Sequence, residues 1–458
     1  MTKQKETIHH FGLFYTFLKM YGVFAFKRFY KHIQVIGKEN IPIGTPYIFA
    51  PNHQNAFMDA LAVNCTNSTP IIFFARADVF KKKWQARALR SFKIKPIYRI
   101  RDGASELLKN EGIFQAAINI LSENAPLCVM PEGNHGNQRK LRKLVKGIFR
   151  IALRTQEEFK GREGVKIIPV GLDYSEYTKF FQDILVIYGE PIEVSEYIEG
   201  YKQDPAKGMM VLRERLALEM KKYMIHIEND ELYEMYEYLR DIYNERMRKK
   251  IAIVGKSHYD RFRADKQMIR LLDDKYEKDP IPLRNLSKKI DQYREGLEKL
   301  NLRNWIFERS GYTTRKLIYK RLGLYLSFPL FLYGFINNFL PYTLPQKSVK
   351  PVKDKQFHSS FKFVWAFFLF PPFYAIQSIL VGIFTEPSWI AWVYLASLPI
   401  FGYFSLFWHI WHKKWKAGLK YRKLKKSRDK NILNLESLQK DILDSMDKII
   451  DEGLKSVN

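Results

Sequence analysis

Short apolar runs alternate with amphipathic, helix-length segments between residues 33 and 203. The runs are TPYIFAPN, TPIIFFARAD, IKPIYRI, PLCVMPEG, VKIIPVGLDY and ILVIYGEPIEV. Apolar runs of this length, separated by helical periodicity, are typical of strands in a sheet that is covered by helices. We therefore expect an α/β domain over residues 33–203, built as a sheet with flanking helices.

The chain beyond this region has two further patterns. Residues 204–312 are charged and have a helical period, which is most simply a set of solvated helix faces. Residues 313–415 contain apolar stretches without Lys, Arg, Asp or Glu at 322–340, 363–384 and 388–411. Each stretch meets or nears the roughly 20 residues that a membrane-spanning helix needs. The sequence therefore predicts a helical region followed by a C-terminal membrane region.

The charge of the connecting loops predicts how these apolar stretches are placed relative to the membrane. Basic residues flank 322–340 on both sides, so this stretch is expected to be re-entrant or interfacial, whereas 363–384 and 388–411 should form a spanning hairpin. The strongly basic tail, 416–458, is expected in the cytosol, and with it the catalytic domain. Residues 1–32 contain an apolar stretch interrupted by a lysine, which indicates an interfacial helix on the membrane.

Charge and cysteine content narrow the class of function. Lys and Arg number 76 against 48 Asp and Glu, a formal net charge of +28 that requires an anionic partner. The apolar stretches argue for anionic membrane lipid and against nucleic acid. Cys65 and Cys128 are the only cysteines, so neither a disulfide framework nor a cysteine-based zinc site is expected, and no other metal is predicted.

His53 and Asp59 follow the apolar run that ends near Ala50. An imidazole oriented by a carboxylate can act as general base for a hydroxyl nucleophile. Six residues apart on one helix, the two side chains would point about 240° away from each other. They can meet only if His53 lies in the turn before the helix and Asp59 in its first turn, with Asn55 as the expected N-cap. A cap and a surface ion pair are the alternative interpretation.

Three further clusters follow other apolar runs. Arg99 and Arg101 could hold a phosphate between their guanidinium groups. Glu132 lies in a Pro-Glu-Gly turn, and Pro169 lies in the run IIPVGL. Ligand sites of α/β sheets gather at strand carboxyl ends. The alternatives are a surface pair at Arg101, a helix cap at Glu132 and a plain core strand around Pro169.

Four motifs in order, NHQNAFMD, KPIYRIRD, MPEGNHG and IIPVGLDY, resemble the four blocks of the glycerolipid acyltransferase superfamily. That superfamily includes lysophosphatidate and glycerol-3-phosphate acyltransferases. The resemblance covers about residues 45–195. It implies that His53 is the general base and that Asp59 orients it. It also implies that the glycerol phosphate binds at Arg99, Glu132 and Gly133, and that Pro169 lies on the acyl-chain side.

The motifs depart from the commonest pattern in two places. Five residues separate His53 and Asp59 instead of four, as in fungal-type glycerol-3-phosphate acyltransferases. The third block usually continues Glu-Gly-Thr-Arg, but here His135 stands where the arginine would be. Arg139, Lys140 or Lys146 could replace that arginine.

The resemblance implies an acyltransferase of phospholipid biosynthesis in the membrane. It would use acyl-CoA or acyl-carrier protein as co-substrate and need no other cofactor. The favoured acceptor is 1-acylglycerol 3-phosphate, which gives phosphatidic acid, and the alternative is glycerol 3-phosphate or dihydroxyacetone phosphate. A non-catalytic membrane scaffold is the remoter alternative. No Gly-x-Ser-x-Gly elbow is present, and VGKSH lacks the first glycine of a P-loop.

Overall fold

The computed structural model describes residues 13–97, 104–159, 164–308 and 313–457. These residues divide into two compact units. The first unit contains the described residues up to 226 together with 349–363, and the second contains 227–348 and the described residues from 364 onward. The first unit thus continues past residue 203, where the sequence pattern placed the end of the sheet domain.

The first unit is built on one mixed sheet. Its strands, in chain order, are β1 (His32–Ile36), β2 (Tyr47–Pro51), β3 (Ile72–Arg76), β4 (Ile94–Ile97), β5 (Leu127–Cys128), β6 (Lys166–Tyr174), β7 (Asp183–Tyr188) and β8 (Ile192–Glu193). Their spatial order is β1-β7-β6-β2-β5-β3-β4, and β8 pairs with β6. Strands β6, β2, β5, β3 and β4 run parallel, whereas β7 and β8 are antiparallel to β6. The predicted α/β sheet domain is confirmed.

Helices cover this sheet. They are α1 (Leu13–Phe29), α2 (Phe57–Thr66), α3 (Lys83–Ser91), α4 (Ala104–Ser122), α5 (Gly147–Glu158), α6 (Ile198–Gln203) and α7 (Pro205–Tyr223). The core joins β2, β5 and β6 to α4, α5 and α7, and Leu212, Leu216 and Met220 of α7 are part of it. The end of α7 approaches β6 so closely that a Cβ at Gly171 would lie 1.7 Å from the Tyr223 carbonyl oxygen. A side chain at this position of the strand is therefore excluded.

The second unit is helical. Its helices are α8 (Tyr233–Lys250), α9 (His258–Lys278), α10 (Ile281–Lys299), α11 (Trp305–Glu308), α12 (Thr314–Leu326), α13 (Phe328–Ser348), α14 (Phe357–Phe384), α15 (Trp389–Lys426) and α16 (Lys430–Val457). Helix α14 begins in the first unit and continues into the second. The tail helix α16 buries Ile432, Ile442 and Ile450 completely. Its Asp447 accepts a hydrogen bond from Tyr243 of α8 at 2.7 Å. The tail therefore packs into this unit.

Two helices, α14 and α15, are long and apolar enough to cross a membrane. Helices α12 and α13 pass the same test together, but they are bent by 55° at their junction, so the described residues offer up to three spans. Asn338 of α13 donates to the Leu398 carbonyl of α15 at 3.1 Å and accepts from Tyr374 of α14 at 2.5 Å. This arrangement agrees with the predicted helical and membrane regions. The interfacial or re-entrant placement of 322–340 stays a prediction.

Candidate active site

The site lies at the carboxyl edge of three neighbouring parallel strands, β5, β2 and β6. The loop after β2 carries His53, the turn after β5 carries Glu132, and β6 ends at Tyr174. Asn52 fixes the first loop to β6, because its side-chain amide donates to the Leu172 carbonyl at 3.1 Å and accepts from the Leu172 N–H at 2.7 Å. The sheet thus determines where His53 stands.

His53 and Asp59 meet as the sequence argument required. His53 lies in the loop before α2 and Asp59 in the first turn of that helix, and His53 Nδ1 is 2.9 Å from Asp59 Oδ2. A carboxylate can only accept, so Nδ1 carries the proton and donates. In the neutral imidazole, Nε2 then holds the free electron pair. The pair is therefore set up to take a proton at Nε2.

The Asp59 carboxylate is fully buried and has four donors. Besides His53, its Oδ2 accepts the backbone N–H groups of Gln54 at 2.8 Å and Asn55 at 2.7 Å, and its Oδ1 accepts the Tyr174 hydroxyl at 2.7 Å. Burial, with Asp59 nearby, raises the pKa of Tyr174 well above its usual value, so this hydroxyl stays a donor. These four hydrogen bonds fix the position of the carboxylate beside His53.

The expected N-cap at Asn55 is wrong. Helix α2 starts at Phe57 with Ala56 as its N-cap, and no side chain caps it. The physical reason is that the loop folds around the Asp59 carboxylate, which takes the backbone N–H of Asn55. Ala56 adopts a φ of 45°, an uncommon conformation for a residue with a Cβ, to close this loop.

Glu132 holds the loop that carries His53 from the other side. Its Oε1 accepts the His53 backbone N–H at 2.8 Å, and its Oε2 accepts Arg142 Nε at 3.0 Å. Burial raises the pKa of this carboxyl, and the hydrogen bonds from His53 and Arg142 oppose that rise. Gly133 follows with a φ of +67°, and a Cβ there would lie 2.9 Å from Val145 Cγ1. The turn therefore requires glycine.

The other predicted site residues are placed as follows. Arg99 and Arg101 lie outside the described residues. Pro169 is buried in β6 opposite Ala50 of β2, and its carbonyl accepts the Gly189 N–H at 2.9 Å.

Two arginines near the third motif have different surroundings. Arg139 is buried and pairs with Asp173, and it also donates to the Tyr174 carbonyl at 2.7 Å. Arg142 is about one-third exposed and pairs with Glu132. One Arg142 nitrogen, Nη2, is buried without a hydrogen-bond partner among the described residues. Arg142 was not among the candidates for the missing arginine, although it lies in the same basic run.

A second histidine stands beside the first. The ring of His135 meets that of His53 edge to face, with centroids 5.7 Å apart. His135 Nε2 lies 2.8 Å from Asp354 Oδ2, and the His135 ring also contacts Phe357 at 4.7 Å between centroids. Asp354 is 219 positions away in the chain. No local pattern in the sequence could have indicated this contact.

The pair of His53 and Asp59 resembles the base and orienting carboxylate of a hydroxyl-activating enzyme. Within the described ranges no group of three His, Cys, Asp or Glu side chains is arranged to hold a metal ion. The arrangement at the sheet edge offers proton abstraction at His53 Nε2, and Glu132 connects the His53 backbone to Arg142.

Comparisons with known proteins agree with this chemistry. A family model described as Acyltransferase matches residues 32–173. Among solved structures, the chain is similar to the 1-acyl-sn-glycerophosphate (LPA) acyltransferase PlsC from Thermotoga maritima, with 20% identity over 46% of this chain and 78% of that chain. The TM-score is 0.33, too low to support an inference. No curated protein sequence matches the chain.

Proposed function

We propose that residues 32–173, which match the Acyltransferase family model, form a domain that acylates a glycerol phosphate. The fatty acyl group comes from acyl-CoA or acyl-carrier protein. The favoured acceptor is 1-acylglycerol 3-phosphate, giving phosphatidic acid in phospholipid biosynthesis. Glycerol 3-phosphate or dihydroxyacetone phosphate is the second candidate, favoured by the five-residue spacing between His53 and Asp59. The proposed enzyme acts at the membrane, with its catalytic domain on the cytoplasmic side.

The observation that carries this proposal is the 2.9 Å contact between His53 Nδ1 and the buried Asp59 carboxylate. His53 Nε2 takes the proton of the acceptor hydroxyl while the oxygen attacks the thioester carbonyl. The carbon–sulfur bond then breaks, and the proton passes to the departing thiolate. A positioned base of this kind supplies about 10²–10⁴-fold in rate. The negative charge of Asp59 stabilises the imidazolium that forms in between.

Basic side chains recognise the acceptor phosphate in this proposal. Arg99 and Arg101 are the predicted ligands from the second motif. Arg142 is a further candidate, because its Nη2 is buried without a described partner and Glu132 bridges it to the His53 backbone. Both Glu132 oxygens already accept hydrogen bonds, so we propose that Glu132 orients His53 and Arg142 toward the substrate.

The test is acyl transfer by membranes that contain the full-length chain or its His53→Ala variant. Labelled acyl-CoA or acyl-carrier protein is offered with 1-acylglycerol 3-phosphate or with glycerol 3-phosphate. Product from one acceptor, lost in the variant, supports the base and identifies the acceptor. Product that persists in the variant removes His53 as the base. No product with either acceptor and either donor favours the scaffold alternative.

A further inference from the structure

An open cavity of about 980 Å³ lies in the first unit. It is lined by residues of α1, of β1 and of the carboxyl-terminal end of α2 with the loop that follows. Asp59 stands in the first turn of α2, whereas Cys65 at its other end lines the cavity. Six residues of helix separate the two by about 9 Å along the axis. The cavity therefore lies at the other end of α2 from Asp59, while the ring of its Tyr30 is 6.0 Å, between centroids, from that of Tyr174, which donates to Asp59.

The cavity concentrates positive charge. Lys19, Lys27, Lys31 and Lys38 line it, and no Asp or Glu is among its described lining residues. Lys19 is half-buried and donates to the Ser68 carbonyl at 2.8 Å, while the other three lysines are exposed. Burial raises the pKa of Cys65 to about 12, so its thiol is neutral near pH 7 and does not balance the lysines. Four lysines without a carboxylate among the lining residues attract an anionic ligand to this cavity.

The wall of the cavity also holds an unpaired polar group. Tyr30 lines the cavity and is only 3% exposed, and its hydroxyl has no hydrogen-bond partner among the described residues. A buried hydroxyl without a partner costs free energy that a bound acceptor atom would recover. Val23, Ile33 and Val35 give the cavity an apolar part, and Thr16, Thr66, Asn67 and Ser68 add polar side chains. The lining thus combines cations, polar groups and an apolar surface.

The outer face of α1 points to the source of the ligand. Leu13, Phe17, Met20 and Phe24 are 91%, 62%, 62% and 56% exposed. Their spacing of four, three and four residues puts them on one helix face, as in a helix that lies in a membrane interface. Met20 belongs both to this face and to the cavity lining. The exposed apolar face of α1 is therefore continuous with the cavity lining.

We propose that this cavity binds an anionic phospholipid taken from the membrane, with its phosphate on the lysines and one acyl chain along Val23, Ile33 and Val35. Tyr30 donates to a phosphate or ester oxygen of the lipid. Binding here does not require acyl transfer, so it can be tested whether or not the proposed activity is correct.

The experiment measures lipid retained by the purified full-length chain, by native mass spectrometry in detergent. The probes are phosphatidylglycerol, phosphatidylcholine and inorganic phosphate. Lys27→Glu with Lys31→Glu should lower phosphatidylglycerol retention by at least about tenfold, since each lysine near an anionic lipid contributes several-fold. Lys202→Glu with Lys207→Glu, on the exposed surface of α6 and α7, changes the net charge equally and should leave retention unchanged.

A cavity-filling variant separates the cavity from general surface charge. Val35→Trp keeps all four lysines but occupies the acyl space, and it should also lose phosphatidylglycerol. Three results would overturn the proposal: equal retention of phosphatidylcholine, full retention by Val35→Trp, or complete displacement by inorganic phosphate. The last result would indicate a phosphate site without an acyl chain. Displacement by acyl-CoA at equal concentration would instead assign the cavity to the acyl donor.

Discussion

Replacing Asp59 by Asn tests the role of charge in the catalytic pair. The amide oxygen of Asn can accept from His53, Gln54 and Asn55 as Asp59 Oδ2 does, while its NH₂ group faces the Tyr174 hydroxyl. The loop can therefore keep its shape, and His53 keeps its tautomer. What disappears is the negative charge next to the imidazolium that forms during transfer.

The magnitude follows from the geometry of the pair. Two unit charges about 4 Å apart, at an effective dielectric constant of about 20, attract each other by about 4 kcal/mol. At about 1.4 kcal/mol for each tenfold, this corresponds to roughly 10³ in rate. A general base as a whole supplies about 10²–10⁴-fold. Asp59→Asn should therefore lower kcat by about 10²–10³, and the double variant with His53→Ala should be little worse than His53→Ala alone.

Tyr174→Phe is the matched control, because it removes one hydrogen bond to Asp59 and keeps the charge. A net hydrogen bond is worth about 1 kcal/mol, so kcat should fall only about fivefold. The assay is acyl transfer at saturating donor and acceptor, with thermal unfolding to verify that each variant is folded. If folded Asp59→Asn retains kcat within tenfold of wild type, or if Tyr174→Phe is equally damaging, the charge argument is refuted.

Three other changes should give separable results. Arg142→Ala should raise the KM of the phosphorylated acceptor about 10- to 100-fold, because charge-assisted hydrogen bonds to the phosphate are lost. The KM of the acyl donor should change little, and equal increases for both substrates would contradict phosphate binding by Arg142. Asp354→Asn weakens the hydrogen bond to His135 and should lower kcat about three- to tenfold. Asp354→Glu should restore part of this loss. An unchanged kcat in Asp354→Asn would show that the contact with His135 has no catalytic role. Asp273→Asn should flatten the pH dependence of thermal stability.

The sign of the Asp273 effect follows from its raised pKa. Burial raises this pKa from 3.8 to about 6, and the Tyr236 hydroxyl, which donates to the carboxylate, opposes the shift. Because the pKa of Asp273 is higher in the folded state than in the unfolded state, protonation of Asp273 stabilises the fold. This stabilisation is fully present below about pH 4 and is lost as the pH rises through 6. Asp291→Asn is the control and should leave the pH profile of the melting temperature unchanged, because Asp291 is exposed on α10 and is not among the acids that raise the Asp273 pKa. A profile that Asp273→Asn leaves intact would contradict this origin.

The sequence was sufficient for the parts of the site that depend on local geometry. Helical rotation alone required His53 before α2 and Asp59 in its first turn, and the structure has both there. The cap at Asn55 failed because the loop turns at Ala56, with a φ of 45°, and α2 begins only at Phe57. The sequence showed Tyr174 only as the last residue of a predicted strand. A pattern of apolar positions does not show which buried hydroxyl donates a hydrogen bond to which carboxylate.

Asp354 shows that the candidate site extends beyond residues 32–173, the range that the family model matches. It lies in residues 349–363, which belong to the first compact unit although they follow α13 and precede most of α14 in the chain. Two other residues of 349–363 make similar contacts. Ser359 donates to the Tyr177 carbonyl, and Lys362 donates to the Thr178 carbonyl at 2.8 Å. Because these contacts and the His135 contact come from beyond residue 226, a chain ended there would lack them. The sheet would keep His53 and Asp59, but the surroundings of His135 would be incomplete.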